Sequence, residues 1–248
     1  MMTDESGIEI NVNKIVSLNG LDSSSIRQAW IATNEFLIEL PTYFSMTSNN
    51  FYTILNQRNL SGLVGEIFKH AISNSVPDLV SNPHPDGRPD LLDLRSDAAI
   101  SHFNDQCFDA TNLAPIREQL APFSFGGIEV KATIGSIKGA SNYPVGRSRA
   151  EAVVDLNYWA HHRHACNLLG VYYDYCPESN GAPQVKSLFL AAVRNTDWYA
   201  VSTGKPGNKK TSNTSLNGSG RQAIKGGLFA HSNEVIYLDM LRRVGVDL

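Results

Sequence analysis

Glu129 and Lys131 stand two residues apart in GGIEVKATIGS, residues 126–136. The run from Ile128 to Ile134 alternates apolar and polar, the period of a strand with one face buried. That pattern predicts Glu129, Lys131 and Thr133 together on the other face, the carboxylate and the ammonium roughly 6.6–7 Å apart along the strand. Asp90 is the candidate third group. Pro89-Asp90 opens the segment DLLDL, whose Leu91, Leu92 and Leu94 anchor a short strand. If the two strands pair, both carboxylates converge on one divalent cation, and two hard oxygen donors with waters and a phosphate oxygen are what magnesium accepts. Lys131 then either holds or deprotonates an attacking water, or offsets charge building on a phosphate. These are the parts of a metal-assisted phosphodiester hydrolysis. Taken alone, a charged pair on a short strand is most often the mark of a plain solvent face.

Several elements must position these groups. Asp22-Ser23-Ser24-Ser25 supplies N-cap residues ahead of IRQAWIATNEFLIEL, an amphipathic helix stopped near Pro41. A second helix is expected over NLSGLVGEIFKHAISN, where Leu60, Leu63, Val64, Ile67, Phe68 and Ala71 recur at helical spacing and Glu66 lies beyond one edge of the stripe. Prolines 77, 83, 85 and 89 with Gly87 make NPHPDGRPD a turn-rich approach to the DLLDL strand. Residues 95–125 read as a connecting segment with a helix in the first half, and Gly135 to Gly146 as a loop. VYYDY and VKSLFLAAV, separated by the turn PESNGAP, read as two strands. Between them and the Glu129 strand, SRAEAVVDLNYWAHHRHACNLLG is mixed, with no clear division into helix and strand. Gly204 to Gly227 is rich in Gly, Ser, Asn and Thr, carries Lys205, Lys209, Lys210, Arg221 and Lys225 with no acidic residue, and reads as a long basic loop.

The 248 residues suffice for one large domain, and 42% hydrophobic against 18% charged residues excludes a disordered chain. No run of about 18 apolar residues occurs, and MMTDESGIEINVNK is acidic where a signal peptide is basic and then apolar, so a cytoplasmic protein without a membrane span is expected. Cys107, Cys166 and Cys176 are odd in number and form no C-x-x-C pair, which supports neither a disulfide framework nor a zinc ribbon. The net charge of −3 argues against a uniformly basic coat. Its distribution is uneven: residues 1–130 hold 7 Lys and Arg against 16 Asp and Glu, residues 131–248 hold 14 against 8. Such asymmetry fits either a face that meets a polyanion or solvated helix faces.

Pro-Asp followed after an interval by Glu-x-Lys on an apolar strand resembles the PD-(D/E)xK nuclease superfamily and, within it, the type II restriction endonucleases. The interval of 38 residues between Asp90 and Glu129 is longer than usual, which implies an insertion or puts Asp93 or Asp97 in the place of Asp90. LNYWAHHRHACNLLGVYYDYC and GAPQVKSLFLAAVRNTDW look like the Trp-x-His, Asn-Leu-Leu-Gly and Asp-Trp run that follows the Glu-x-Lys strand in some of these enzymes. GNKKTSNTSLNGSGRQAIKGG looks like their late loop, so the resemblance covers roughly residues 60 to 230.

The resemblance implies an α/β fold with a mixed central β-sheet flanked by helices, a restriction-endonuclease-like core over about residues 60–200 and a DNA-recognition loop over about 204–227 of a single domain. By it, Asp90 and Glu129 are metal ligands, Lys131 is the catalytic lysine, and Glu66 is the acid contributed by an upstream helix. The implied activity is magnesium-dependent, sequence-specific hydrolysis of double-stranded DNA in a restriction-modification system, with manganese as a substitute ion. The implied partner is a second copy of the chain, and a cognate methyltransferase acts on the same DNA site. A repair or junction-resolving nuclease with the same chemistry, or a non-catalytic DNA-binding protein on that fold, are the alternatives. Lys205, Lys209, Lys210, Arg221 and Lys225 are candidates for phosphate contact, Asn213, Asn217, Arg221 and Gln222 for base edges, and Lys138, Arg147 and Arg149 for further phosphates.

Other motifs carry less. His161 and His164 could share a helical face, but with His162 they have no third metal ligand in view and no His-Asn-His hairpin around them. GKPGNKKTS lacks the glycine that precedes lysine in a phosphate-binding loop, and no helix is expected after it. Trp30, Trp159 and Trp198 read as packing residues.

Overall fold

The computed structural model describes residues 7–11, 21–137, 145–155, 167–200 and 214–248. Strand β1 (Ile8–Ile10) precedes helix α1 (Ser23–Glu39), which starts where the Asp22 carboxylate accepts the Ser25 N–H and buries Ile26, Ala29, Trp30 and Leu37. Pro41 lacks an N–H and turns the chain into a 3-10 segment, Leu40–Phe44. After the short α2 (Ser48–Thr53), α3 (Gln57–Ser75) begins at the Asn56 N-cap and buries Leu60, Val64, Phe68, Ala71 and Ile72, the stripe read from its periodicity.

Strands β2 (Leu79–Ser81) and β3 (Leu91–Asp93) follow, then α4 (Asp97–Gln106) and the one-turn α5 (Arg117–Leu120). Strand β4 (Gly127–Thr133) carries the Glu-x-Lys pair. A two-stranded ribbon, β5 (Ser136–Ile137) with β6 (Val153–Asp155), lies between it and β7 (Asn167–Cys176). A tight connection joins β7 to β8 (Ala182–Ala192), and α6 (Gly218–Gly226), β9 (Leu228–Ser232) and α7 (Val235–Arg243) complete the chain.

The protein is α/β: a seven-stranded mixed sheet in the order β1-β9-β8-β7-β4-β3-β2, flanked by helices on both faces. Only β4 and β7 pair in parallel; the other neighbours are antiparallel. One core lies between the sheet and α1 with α3, and includes Ile128, Val130 and Ile134 of β4. A second packs α6 and α7 against Leu168, Tyr172 and Phe189, and a third gathers Leu92, Cys107, Leu120 and Phe123 beside β3. Cys107 and Cys176 are buried thiols, and Trp30 and Trp198 are buried packing residues, as expected. Among the described residues no helix is long and apolar enough to cross a membrane.

Three expectations are corrected. Ser136 and Ile137, expected in a loop, form β5 because they pair with β6. The first half of β4 is buried on both faces, and Glu129 retains only 2% of its surface, because β4 lies inside the sheet with packed elements on each side. Residues 218–226 form α6 instead of continuing a loop. Three glycines in nine residues mask the helix, yet the Asn217 side chain caps it by accepting the Ser219 and Gly220 N–H groups, and Ile224 is buried beneath it. Gly220 is there for space: a Cβ would overlap the Asp197 carbonyl oxygen.

Candidate active site

The antiparallel register of β3 and β4 sets Leu91 opposite Ile128 and Leu92 opposite Gly127. One step further along the same register, Asp90 comes level with Glu129. Close pairing here depends on Gly127, whose φ of +147° favours glycine and whose Cβ would overlap the Leu91 carbonyl oxygen. Because β3 begins at Leu91, the Asp90 carboxylate takes the place of a ladder partner and accepts the Val130 N–H at 2.8 Å.

Lys131 joins the two acids. Its Nζ lies 2.7 Å from Glu129 Oε1 and 3.5 Å from Asp90 Oδ2. Burial pushes the Glu129 carboxyl above the usual carboxylate range, with the Asp90 charge adding to the shift and Lys131 opposing it. Burial also works against the Lys131 ammonium, but the Glu129 and Asp90 charges outweigh it and raise its pKa above the ordinary lysine value. Lys131 is thereby held as a cation, suited to offset negative charge.

Asp90 and Lys131 open on a cleft of about 280 Å³ between β4 and α3, while Glu129 is buried and does not line it. Asp90 and Lys131 line one side, Arg58, Ser61, Gly62 and Lys69 the other. Ser61 is fixed by a 2.9 Å hydrogen bond to the Tyr173 hydroxyl, which ties α3 to β7. Glu66 lines the same cleft but is largely exposed and paired with Lys69, not with Asp90 or Glu129. Among the described residues no three His, Cys, Asp or Glu side chains converge on one point. The donor set is thus two carboxylates already drawn to a single cation, with room beside them for water and phosphate oxygens. It fits magnesium, a hard ion that keeps several waters.

The substitutes for Asp90 are placed elsewhere. Asp93 is held by Arg95 through two hydrogen bonds of 2.9 and 2.6 Å, and Asp97 is the first residue of α4. Burial acts against ionised Asp93, but its bonds to Arg95 overcome this and lower its pKa.

Of the candidates for DNA contact, Arg147 is exposed and Arg149 is buried at 3% of its surface. Arg149 turns inward because Asp174 accepts its N–H, the Ala150 N–H and the Ser148 hydroxyl, folding that segment onto β7. Asn217 spends its amide on the α6 cap and on the Thr196 carbonyl, and Arg221 Nε donates to the Leu216 carbonyl. Gln222 is exposed on α6 and Lys225 half-exposed. Lys138, His161, His162, His164, Lys205, Lys209, Lys210 and Asn213 lie outside the described residues.

Sequence reading missed Arg58, Ser61 and Lys69. Their signal was present: with Gly62, Gly65 and Glu66 they recur at helical spacing on the side of α3 away from Leu60, Val64 and Phe68.

These features define the class: an α/β protein with one buried and one half-buried carboxylate joined by a lysine on inner strands of a mixed sheet, beside a cleft. No family model, curated protein or solved structure matches the chain.

Proposed function

We propose that the protein is a type II restriction endonuclease with a PD-(D/E)xK core, a magnesium-dependent hydrolase of double-stranded DNA at a specific sequence. The observation that carries the reading is the Lys131 ammonium held between Asp90 and Glu129 at a solvent-open cleft. A purely structural ion pair has no need of a second, buried carboxylate, since an acid removed from water without full compensation is costly.

Asp90 and Glu129 would hold the ion, which when bound polarises the phosphate and lowers the pKa of a coordinated water. The protein's own residues do the rest. The Val130 N–H fixes the orientation of the Asp90 carboxylate. Lys131 presents a positive charge to the phosphate oxygen on which negative charge accumulates, an effect worth more in a site with little water. Burial of Glu129 keeps the centre dry on the sheet side. Two copies related by a two-fold axis would cut both strands of a palindromic site.

Purified protein incubated with unmethylated plasmid DNA should give a fixed set of fragments with magnesium or manganese and none with EDTA. Cleavage of branched DNA without a fixed sequence would instead support a repair or junction-resolving nuclease. Binding without any cleavage would support a DNA-binding protein.

A further inference from the structure

We propose that the α3 wall of the cleft seats the sugar-phosphate backbone of the substrate, with Arg58 as its phosphate-positioning residue and Gly62 as the gap through which that backbone approaches; this rests on the nuclease reading of the site. Arg58, Ser61, Gly62, Gly65, Glu66 and Lys69 follow one another at i, i+3, i+4, i+7, i+8 and i+11, one face of α3, and all line the cleft opposite Asp90 and Lys131. From Arg58 to Lys69 this face runs about 16 Å, the length of several nucleotides.

The cations of the cleft are not equivalent. Lys131 is held by Asp90 and Glu129, and Lys69 by Glu66. Arg58 is exposed and pairs with no carboxylate among the described residues. It also stands in the first turn of α3, where the helix dipole favours an acid and disfavours a cation. Among the described residues no carboxylate offsets that local cost, whereas a phosphate in the cleft would. Counting Glu129, the cleft balances three cations against three carboxylates, so a bound divalent ion leaves it positive, as a polyanion requires.

The two glycines are not equivalent either. A Cβ at Gly65 would touch the Ala132 side chain at 3.7 Å, so this residue lets α3 lie close against β4. A Cβ at Gly62 would meet nothing within 4 Å. Glycine in a helix interior weakens the helix, and here packing does not call for it; close approach of a ligand backbone does.

The test is binding of a fluorescent duplex of about 30 base pairs, followed by anisotropy with calcium in place of magnesium from about 50 to about 200 mM salt, for wild type, Arg58→Ala, Arg58→Lys and Gly62→Glu. Unfolding midpoints are measured alongside. Arg58→Ala should weaken binding by roughly tenfold at the lowest salt and reduce the slope of log K against log salt by about 0.9, and Arg58→Lys should restore the slope. Gly62→Glu should bind more weakly still while unfolding no earlier than wild type, because glutamate is the better helix former. If Arg58→Ala and Gly62→Glu bind with the affinity and slope of a wild type that cuts DNA with magnesium, the α3 wall is not the phosphate seat and the nuclease reading stands. A wild type that neither binds at the lowest salt nor cuts overturns both.

Discussion

Replacing Lys131 by methionine isolates the electrostatics of the centre, because methionine keeps most of the side chain's packing and removes its charge. In wild type, Lys131 Nζ lies 2.7 Å from a carboxylate that is 98% buried, so the substitution strands an acid in a poorly solvated place. Breaking such a pair from one side costs about 3–5 kcal/mol, and since Lys131 keeps 23% of its side-chain surface exposed, the lower end, about 3 kcal/mol, applies. For a chain of this size that is a fall in Tm of about 6–12 °C. The cost depends on pH. The folded-state pKa of Glu129 is already raised, so the stability linked to its proton is fully present below the unfolded value and is lost as pH rises through the folded one. Without Lys131 that pKa climbs further. The deficit should be small near pH 4, where Glu129 is protonated in both proteins, and grow toward neutral pH. Urea unfolding of wild type and Lys131→Met in EDTA across that range, with Glu129→Gln/Lys131→Met beside them, reads this directly. The double variant should recover most of the loss. A deficit that stays constant with pH, or a double variant no better than the single, refutes the reasoning.

Three further outcomes are expected. Magnesium at ten times its Kd should raise the stability of the wild type by about 1.4 kcal/mol, and that of Glu129→Gln by far less, as followed by thermal unfolding with and without the ion. Gly127→Ala should cost more than about 1 kcal/mol, since the backbone angle and the Leu91 carbonyl both oppose a Cβ; an unchanged urea midpoint would show that β3 and β4 do not pair as closely as described. Asn217→Ala should lower stability by about 1 kcal/mol through loss of the α6 cap while leaving the affinity for cognate DNA at fixed salt unchanged; weaker binding at an unchanged salt slope would mean that Asn217 also serves the DNA.

The parts of the centre legible in the sequence were those that depend on local pattern. Alternation placed Glu129 and Lys131 on one strand, the Pro-Asp pair put Asp90 just ahead of another, and helical spacing gave the buried stripe of α3. What alternation cannot report is what lies against the second face of a strand. It therefore gave Glu129 a solvated side, where the sheet and its flanking elements bury it. Helix α6 was hidden by its glycines, and the reason for Gly220 is the close passage of the Asp197 carbonyl, a contact between residues 23 apart. The inward turn of Arg149 was out of reach for a similar cause, since Asp174, which folds that segment, lies on another strand. The α3 wall was readable in principle. Its polar and small residues keep helical register, but only the position of β4 across from them makes them the side of a cleft.

The central claim is that Asp90, Glu129 and Lys131 form one hydrolytic centre. Its most direct measurement is cleavage of unmethylated plasmid or phage DNA with magnesium by wild type, Asp90→Ala, Glu129→Ala and Lys131→Ala, each shown by circular dichroism to be folded. Discrete fragments from wild type, and none from any of the three variants, is the predicted result. Intact DNA with wild type across unmethylated substrates, or cleavage by folded variants at the wild-type rate, would contradict it.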